Sequence, residues 1–161
     1  MNDLHKNRKP EIVWTNMRQE IEKLRKEMNI SLDDFKPVGI NQWQDIQKTI
    51  EKNFVKVTHY TNKFHWYWER FSQDSYSIQC KIHPHKYLNR VLEKENDLLF
   101  FVSDRVHETP KFWFYKGKLP AIQNIIEESY CIGEYYFSSE KMDWLLCVNH
   151  HDYLIGTGEV M

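Results

Sequence analysis

Residues 134–158 read EYYFSSEKMDWLLCVNHHDYLIGTG, and this stretch decides the fold that the sequence predicts. Short apolar runs alternate here with turn-rich segments, a pattern typical of consecutive antiparallel strands. The runs lie at residues 135–137, 144–148 and 153–155. Asn149 and Asp152 flank His150 and His151 in the second turn, where their side chains can bond nearby backbone groups and define the bend. The stretch therefore predicts a three-strand antiparallel meander.

The chain before the meander predicts helices first and further strands later. A long amphipathic helix is indicated by apolar residues spaced three or four apart, namely Trp14, Met17, Ile21, Leu24 and Met28. A second helix is predicted from its cap at Asn41 to about Phe54. Further predicted elements are a short helix in residues 63–71 and strands at 76–82, 98–102 and 112–115. Two more helices are predicted, one on Tyr87, Leu88, Val91 and Leu92 that ends near residues 95–96, and one from Pro120. We expect an α+β fold, with N-terminal helices followed by a mostly antiparallel sheet that carries helices on one face.

Size and composition favour one folded domain. A chain of 161 residues with 41% hydrophobic residues can bury a core, so we expect a single domain over residues 1–161 with a flexible start at 1–9. The net charge of -1 provides no basic field for a polyanion, which argues against nucleic acid as a partner. Neither a signal peptide nor a run of roughly 20 apolar residues is found, so we expect a cytoplasmic protein without a membrane partner. Cys80, Cys131 and Cys147 are odd in number and form no CxxC, as expected for reduced thiols.

The charge is uneven along the chain, and its C-terminal end is acidic. From residue 129 onward Lys141 is the only basic Lys or Arg residue. The acids in this part are Glu134, Glu140, Asp143, Asp152 and Glu159. A locally acidic surface favours a basic partner.

The most aromatic stretch, KFHWYWERF at residues 63–71, points to a binding surface. Tryptophan is a favoured anchor at protein interfaces, and it also stacks on sugar rings and bases. A protein partner is the preferred hypothesis because a basic groove for bases is missing, and glycan or nucleotide binding through exposed aromatics is an alternative. The predicted binding residues are Trp66, Trp68, Asn149, His150, His151 and Asp152.

The histidines raise the question of a metal site. His83 and His85 would place two imidazoles on one side of an extended segment, and His150 could supply a third ligand. However, HExxH is absent, and the adjacent His150 and His151 would point to opposite faces of a strand. We therefore predict no metal and no other cofactor, and keep His83, His85 and His150 as the alternative metal set.

Catalytic signatures are missing as well. The sequence has no GxSxG nucleophile elbow and no glycine-rich phosphate loop. The best candidates for a general base are His150 and His151, and those for an acid are Asp152 and Glu134. A small metal-dependent hydrolase using His150, His151 and Asp152 is therefore the alternative to a non-enzymatic protein.

Three stretches carry a resemblance to a known family: KFHWYWERF, KFWFYKGKLPAIQNII and EYYFSSEKMDWLLCVNHHDYLIG. With them the chain resembles a group of small uncharacterised bacterial proteins over roughly its last hundred residues. That group is a domain of unknown function, so the resemblance implies a fold rather than an activity. Small α+β proteins of this appearance also resemble the immunity partners of bacterial toxins, which act by binding. The resulting prediction is a non-enzymatic interaction protein and, in its most specific form, a toxin-neutralising immunity protein.

Overall fold

The structure, a computed structural model, describes residues 17–56, 66–92, 97–104 and 111–159. The helices in these ranges are α1 (Met17–Glu27), α2 (Trp43–Phe54), α3 (Leu88–Val91) and α4 (Leu119–Glu128). Two short 3-10 turns cover Tyr67–Arg70 and Pro84–Tyr87. The strands are β1 (Phe35–Pro37), β2 (Ser75–Gln79), β3 (Leu98–Asp104), β4 (Lys111–Gly117), β5 (Tyr135–Ser139), β6 (Trp144–Val148) and β7 (Tyr153–Gly158).

The strands form one sheet in the order β1-β4-β3-β5-β6-β7-β2. Every neighbouring pair is antiparallel, and β5, β6 and β7 form the meander that the sequence predicted. The register places Phe100 of β3 opposite Tyr115 of β4 and Phe137 of β5. β1 and β2, which come early in the chain, lie at the two outer edges of the sheet.

Both faces of the sheet are buried at its central strands β3, β5 and β6. Phe100 and alternate residues of β3 pack with α1, α3 and α4, whereas Phe101 and its alternates pack with α2 and Tyr67. These two faces are called the α1/α4 face and the α2 face below. Two buried faces explain why β3 and β6 are continuous apolar runs, since alternation is expected only where one face meets water.

The α+β class and the antiparallel sheet are confirmed, while the placement of the helices differs from the expectation. Helices interleave with strands along the chain instead of preceding them, and they cover both faces instead of one. The physical reason is that each amphipathic helix has one apolar stripe to bury. An apolar stripe predicts that the helix packs on the sheet, but it does not indicate which face of the sheet the helix covers.

Local signals account for several element boundaries. Pro120 lies in the first turn of α4, as predicted. The backbone N–H of Asp34 donates to Ser31 Oγ at 3.2 Å in the turn before β1. The predicted cap Asn41 is wrong, because Gln42 precedes α2 and no side chain caps this helix.

Several sequence predictions concern residues that the structure describes only in part or not at all. The flexible start at residues 1–9 and Trp14 lie outside the described residues. Of the predicted short helix at 63–71, the described part forms the 3-10 turn Tyr67–Arg70. No helix in the described ranges has both the length and the apolar composition to cross a membrane.

Candidate functional site

The turn between β6 and β7 presents two histidines at one end of the sheet. Asn149 is buried beneath it, and its Oδ1 accepts the backbone N–H groups of His151 and Tyr153, each at 3.0 Å. Asp152 contributes through its backbone, which adopts the left-handed conformation with φ 62°. The predicted role of Asn149 in defining the bend is therefore confirmed. This bend turns the side chains of His150 and His151 outward.

Two tryptophans contact these histidines, Trp66 just before the first 3-10 turn and Trp68 within it. Trp66 and His150 have ring centroids 4.8 Å apart, and Trp68 lies 6.3 Å from His150 and 6.3 Å from His151. The two imidazoles are themselves 4.0 Å apart. Trp66, Trp68, His150 and His151 are called the Trp–His cluster below. The structure thus joins two segments that the sequence analysis proposed as one binding surface.

The neighbouring imidazoles correct one expectation. Adjacent residues of a strand point to opposite faces, which argued against His150 and His151 sharing a site. Both residues lie in the turn rather than in a strand, so the alternation does not apply to them. Their rings therefore converge on the same side of the sheet end.

Burial of Tyr67 between two half-buried tryptophans sets both indoles at the surface. Tyr67 is fully buried on the α2 face, where it contacts Phe112 and Tyr136 and its hydroxyl donates to Glu51. The residues on either side, Trp66 and Trp68, are half-buried. Burial of Tyr67 therefore anchors the segment and holds both indoles beside the histidines.

Glu134 is the buried carboxylate that connects the cluster. Only 1% of its surface is exposed. Its Oε2 accepts Trp68 Nε1–H at 3.1 Å and lies 3.2 Å from His150 Nδ1, and its Oε1 accepts the Tyr136 hydroxyl at 2.8 Å. One carboxylate thus fixes an indole and an imidazole from distant parts of the chain.

The environment of Glu134 controls its ionisation. Burial raises the pKa of this carboxyl above its ordinary value, while the bonds from Tyr136, His150 and Trp68 oppose the rise. Beneath it, burial raises the pKa of the Cys147 thiol well above the ordinary value, and the charge of Glu134 acts in the same direction. Cys147 is accordingly an inert, protonated packing residue.

A groove of about 680 Å³ lies beside the cluster. Its walls include His83, His85, Glu127, Asn149, His150 and Asp152. The rings of His83 and His85 stack with centroids 5.7 Å apart, and burial lowers the pKa of His85. The buried His85 Nε2 has no hydrogen-bond partner among the described residues.

The alternative metal set shares this groove without converging on a point. His83, His85 and His150 all line it. Within residues 17–56, 66–92, 97–104 and 111–159, however, no three His, Cys, Asp or Glu residues are placed to hold a metal ion. The geometry therefore supports pairs of imidazoles and not a three-ligand centre.

The acidic residues of the C-terminal part do not form one surface. Glu134 is buried, and Glu140 pairs with Lys116 at 3.3 Å. Asp143 accepts the hydroxyl of Ser139 near the turn between β5 and β6, whereas Asp152 lies in the turn at the opposite end of the strands. The expected acidic patch is therefore divided between the two ends of the sheet, and a basic partner is not favoured by this charge distribution.

A second cavity, of about 330 Å³, lies beside β4 and the start of α2. Its lining includes Trp43, Trp113 and the exposed Ile40, and the guanidinium of Arg18 is 5.9 Å from the Trp113 ring. The groove beside the Trp–His cluster has neither Trp66 nor Trp68 in its lining. The second cavity, unlike this groove, is thus lined by two tryptophans, and it lies away from the predicted binding residues.

The sequence analysis missed the central place of Glu134, which it considered only as an acidic residue and a candidate catalytic acid. A single Glu just before an apolar strand gives no signal that it is buried. The apolar strand that follows gives an indirect indication. When both faces of a strand are buried, the side chain of the residue just before the strand can be buried as well.

These features describe an α+β protein whose surface cluster of aromatic rings is built on a buried carboxylate. Residues 13–161 match the family model described as a family of unknown function, DUF6756, and the chain belongs to that family. The match confirms the resemblance to an uncharacterised family and extends it, since it includes α1 as well as the last hundred or so residues. No curated protein and no solved structure matches the chain.

Proposed function

We propose that this protein is a non-enzymatic binding protein of the cytoplasm that engages a protein partner through the Trp–His cluster. The observation that supports the proposal is the attachment of Trp68 and His150 to the buried Glu134 at 3.1 and 3.2 Å. Rings held in place before binding lose little conformational freedom when a partner covers them. Tryptophan is also the residue type most enriched among interface positions that dominate affinity.

The composition of the cluster defines the kind of partner. Indole and imidazole rings offer apolar faces together with N–H groups, so they suit a partner surface with an exposed apolar side chain beside hydrogen-bond acceptors. A toxin-neutralising immunity protein is the most specific form of this function. It would act by covering a toxin surface and would need no catalytic group.

The test is a binding measurement with variants that leave Glu134 untouched. A partner is first captured and identified by mass spectrometry, and its affinity is then measured by calorimetry for Trp66→Ala and His151→Ala. The rings that contact Glu134 Oε2 are those of Trp68 and His150, and neither change alters these two residues. We expect affinity to fall by about 30-fold for Trp66→Ala, the loss typical of a central interface residue.

Trp43→Ala provides the matched control. Trp43 is also a half-buried tryptophan, and it lies beside the second cavity instead of the Trp–His cluster. Its replacement should leave the affinity within about twofold, as expected outside an interface. Unchanged affinity in Trp66→Ala, Trp68→Phe, His150→Ala and His151→Ala would show that the partner binds elsewhere.

A hydrolase is the second candidate, and one contact favours it. Glu134 Oε2 lies 3.2 Å from His150 Nδ1, and His150 forms part of the 680 Å³ groove. A carboxylate in this position orients an imidazole so that its other nitrogen can act as a general base. Ester and phosphoester hydrolysis by the purified protein, lost in both His150→Ala and folded Glu134→Gln, would replace the binding proposal with this one.

A further inference from the structure

The two edges of the sheet are protected to very different degrees. β1 has only three residues and contains Lys36 and Pro37, both of which discourage pairing with another strand. β2 reads Ser-Tyr-Ser-Ile-Gln, contains neither charge nor proline, and is exposed at all five positions. Such an edge is open to addition of a further strand.

The hydrogen bonds at the end of β2 show which backbone groups face outward. Cys80 N–H donates to Asp152 O at 2.9 Å, one position beyond the pair formed by Gln79 and Tyr153. Because bonding alternates along an antiparallel ladder, Ile78 also bonds toward β7 and Gln79 bonds away from it.

The pairing of β7 with β6 leads to the same assignment of inward and outward backbone groups. Asn149 N–H donates to Tyr153 O at 3.1 Å, so Tyr153 bonds toward β6, and the next residue, Leu154, faces β2. Leu154 is the partner of Ile78 in the register. The N–H and C=O groups of Ser75, Ser77 and Gln79 therefore form the open edge.

Two apolar side chains accompany this edge. Tyr76 and Ile78 are 62% and 63% exposed. They are two residues apart and share the α1/α4 face with Leu154, the cross-strand partner of Ile78. No strand in the described part of the chain pairs with this outer edge of β2. Large apolar residues exposed beside such an edge are what a strand-pairing interface requires.

We propose that β2 pairs with β2 of a second copy of this chain, antiparallel about a twofold axis at Ser77. The axis places the outward groups of Ser77 in the two copies opposite each other and matches Ser75 of one with Gln79 of the other. Each matched pair can exchange two N–H···O bonds. The sheets of the two copies then become one continuous sheet.

The side chains make this register its own complement. Tyr76 of each copy lies opposite Ile78 of the other on the same face, which gives an aromatic and β-branched pair twice. No like charges meet, because the strand is uncharged. A surface that complements itself about a twofold axis is the requirement for an isologous dimer, whereas a strand of another protein would need a separate match.

The expected dimer is weak. A five-residue strand pair buries less than the roughly 1,200 Å² typical of stable complexes. Sedimentation of the full chain from about 1 to 500 μM should therefore show a mass that rises toward twice the monomer mass with concentration.

Ser77→Pro is the selective variant. It removes the outward N–H at the proposed axis and leaves the bonds of Tyr76 and Ile78 to β7 in place. We expect a folded monomer at every concentration. Ile78→Ser should also weaken the dimer, while Ile40→Ser, which changes another isoleucine that is 78% exposed, should leave it unchanged.

Two charged variants of Ser77 provide a second test of the dimer if Ser77→Pro does not fold. Ser77→Lys and Ser77→Asp each place like charges at the axis and should be monomeric alone, while their mixture should form a heterodimer. A monomeric wild-type protein at 500 μM, or a dimer that persists in Ser77→Lys, would overturn the inference. Either result leaves the proposed partner binding intact, because Trp66 and His151 are not part of β2.

Discussion

Glu134 determines the geometry of the Trp–His cluster because it is the shared acceptor for donors that arrive from three segments. Trp68, Tyr136 and His150 each contact one of its oxygens. A buried donor that loses its acceptor costs about 1–3 kcal/mol, more than the net gain from forming one such bond. The cluster should therefore be more sensitive to this residue than to any of its own rings.

Replacement of Glu134 by Leu is expected to lower the free energy of unfolding by about 1–3 kcal/mol, since Leu leaves the buried Tyr136 hydroxyl and the half-buried Trp68 N–H without this acceptor. Glu134→Gln retains one acceptor oxygen and should lose less. Urea unfolding followed by tryptophan fluorescence measures both values. Equal stability of Glu134→Leu and the wild-type protein would show that the buried carboxylate does not hold the cluster together.

At the residue scale, the sequence predicted the members of the site better than their arrangement. Trp66, Trp68, His150 and His151 were grouped because their types suit an interface, and the structure brings them together. Their contact depends on burial of Tyr67 and on pairing of distant strands, neither of which has a local sequence signal. The rings of His83 and His85 lie side by side as expected, although Pro84 and His85 belong to a 3-10 turn and not to the extended segment that the sequence analysis assumed.

Among the elements, β7 ends in a conformation that only glycine adopts easily. Gly158 has φ 90°, and a Cβ built there would lie 2.6 Å from Asp143 O and 2.8 Å from Trp144 Cα. Both contacts are with backbone, which cannot move aside as a flexible side chain would. Gly158 is the register partner of Trp144 in β6. The Phe54 ring of α2 also lies 3.0 Å from the Cβ position built at Gly158.

Gly158→Ala is therefore expected to destabilise the protein by about 1–3 kcal/mol through steric contact and an unfavourable φ. Gly39→Ala is the matched control, because a Cβ at Gly39 meets only the Gln42 side chain at 3.6 Å or more. Thermal unfolding of the two variants compares them directly. A similar melting temperature for both would contradict the close approach at the end of β7.

Element prediction succeeded where a pattern repeated and failed where it was too short. β6 was predicted with its observed bounds, because its apolar run is flanked by turn residues on both sides. β1 was missed, since three residues ending in proline carry no strand pattern. It forms because it completes the edge beside β4, opposite Tyr115 and Gly117.

For the molecule as a whole, the informative sequence feature was the unbroken apolar run of β3. Such a run is typical of a strand covered on both faces, yet the sequence analysis placed helices on one face only. Phe100 and Phe101 are both fully buried, in opposite layers. If the apolar run of β3 is interpreted as burial on both faces, it predicts a sheet with a layer of helices on each side.

Phe100→Ala and Phe101→Ala should each cost about 3–5 kcal/mol, because each leaves a cavity in a packed layer. A sheet with one exposed face would show a large loss for one variant and little for the other. Tyr76→Ala, at an exposed aromatic residue of β2, serves as the control and should change the free energy of unfolding by less than about 0.5 kcal/mol. Chemical denaturation of all three proteins measures the contrast.

The order of strands in the sheet also has a consequence for how the chain acquires its structure during synthesis. Among the described strands, β2 pairs with β7 alone and β1 with β4 alone, so the partner of each early strand is synthesised much later. Pairing between such distant segments slows folding, because a long loop must close before any contact forms. In a nascent chain that ends before Tyr153, β2 lacks its partner strand β7. Its exposed apolar residues and backbone groups would then be available to chaperones until β7 is synthesised.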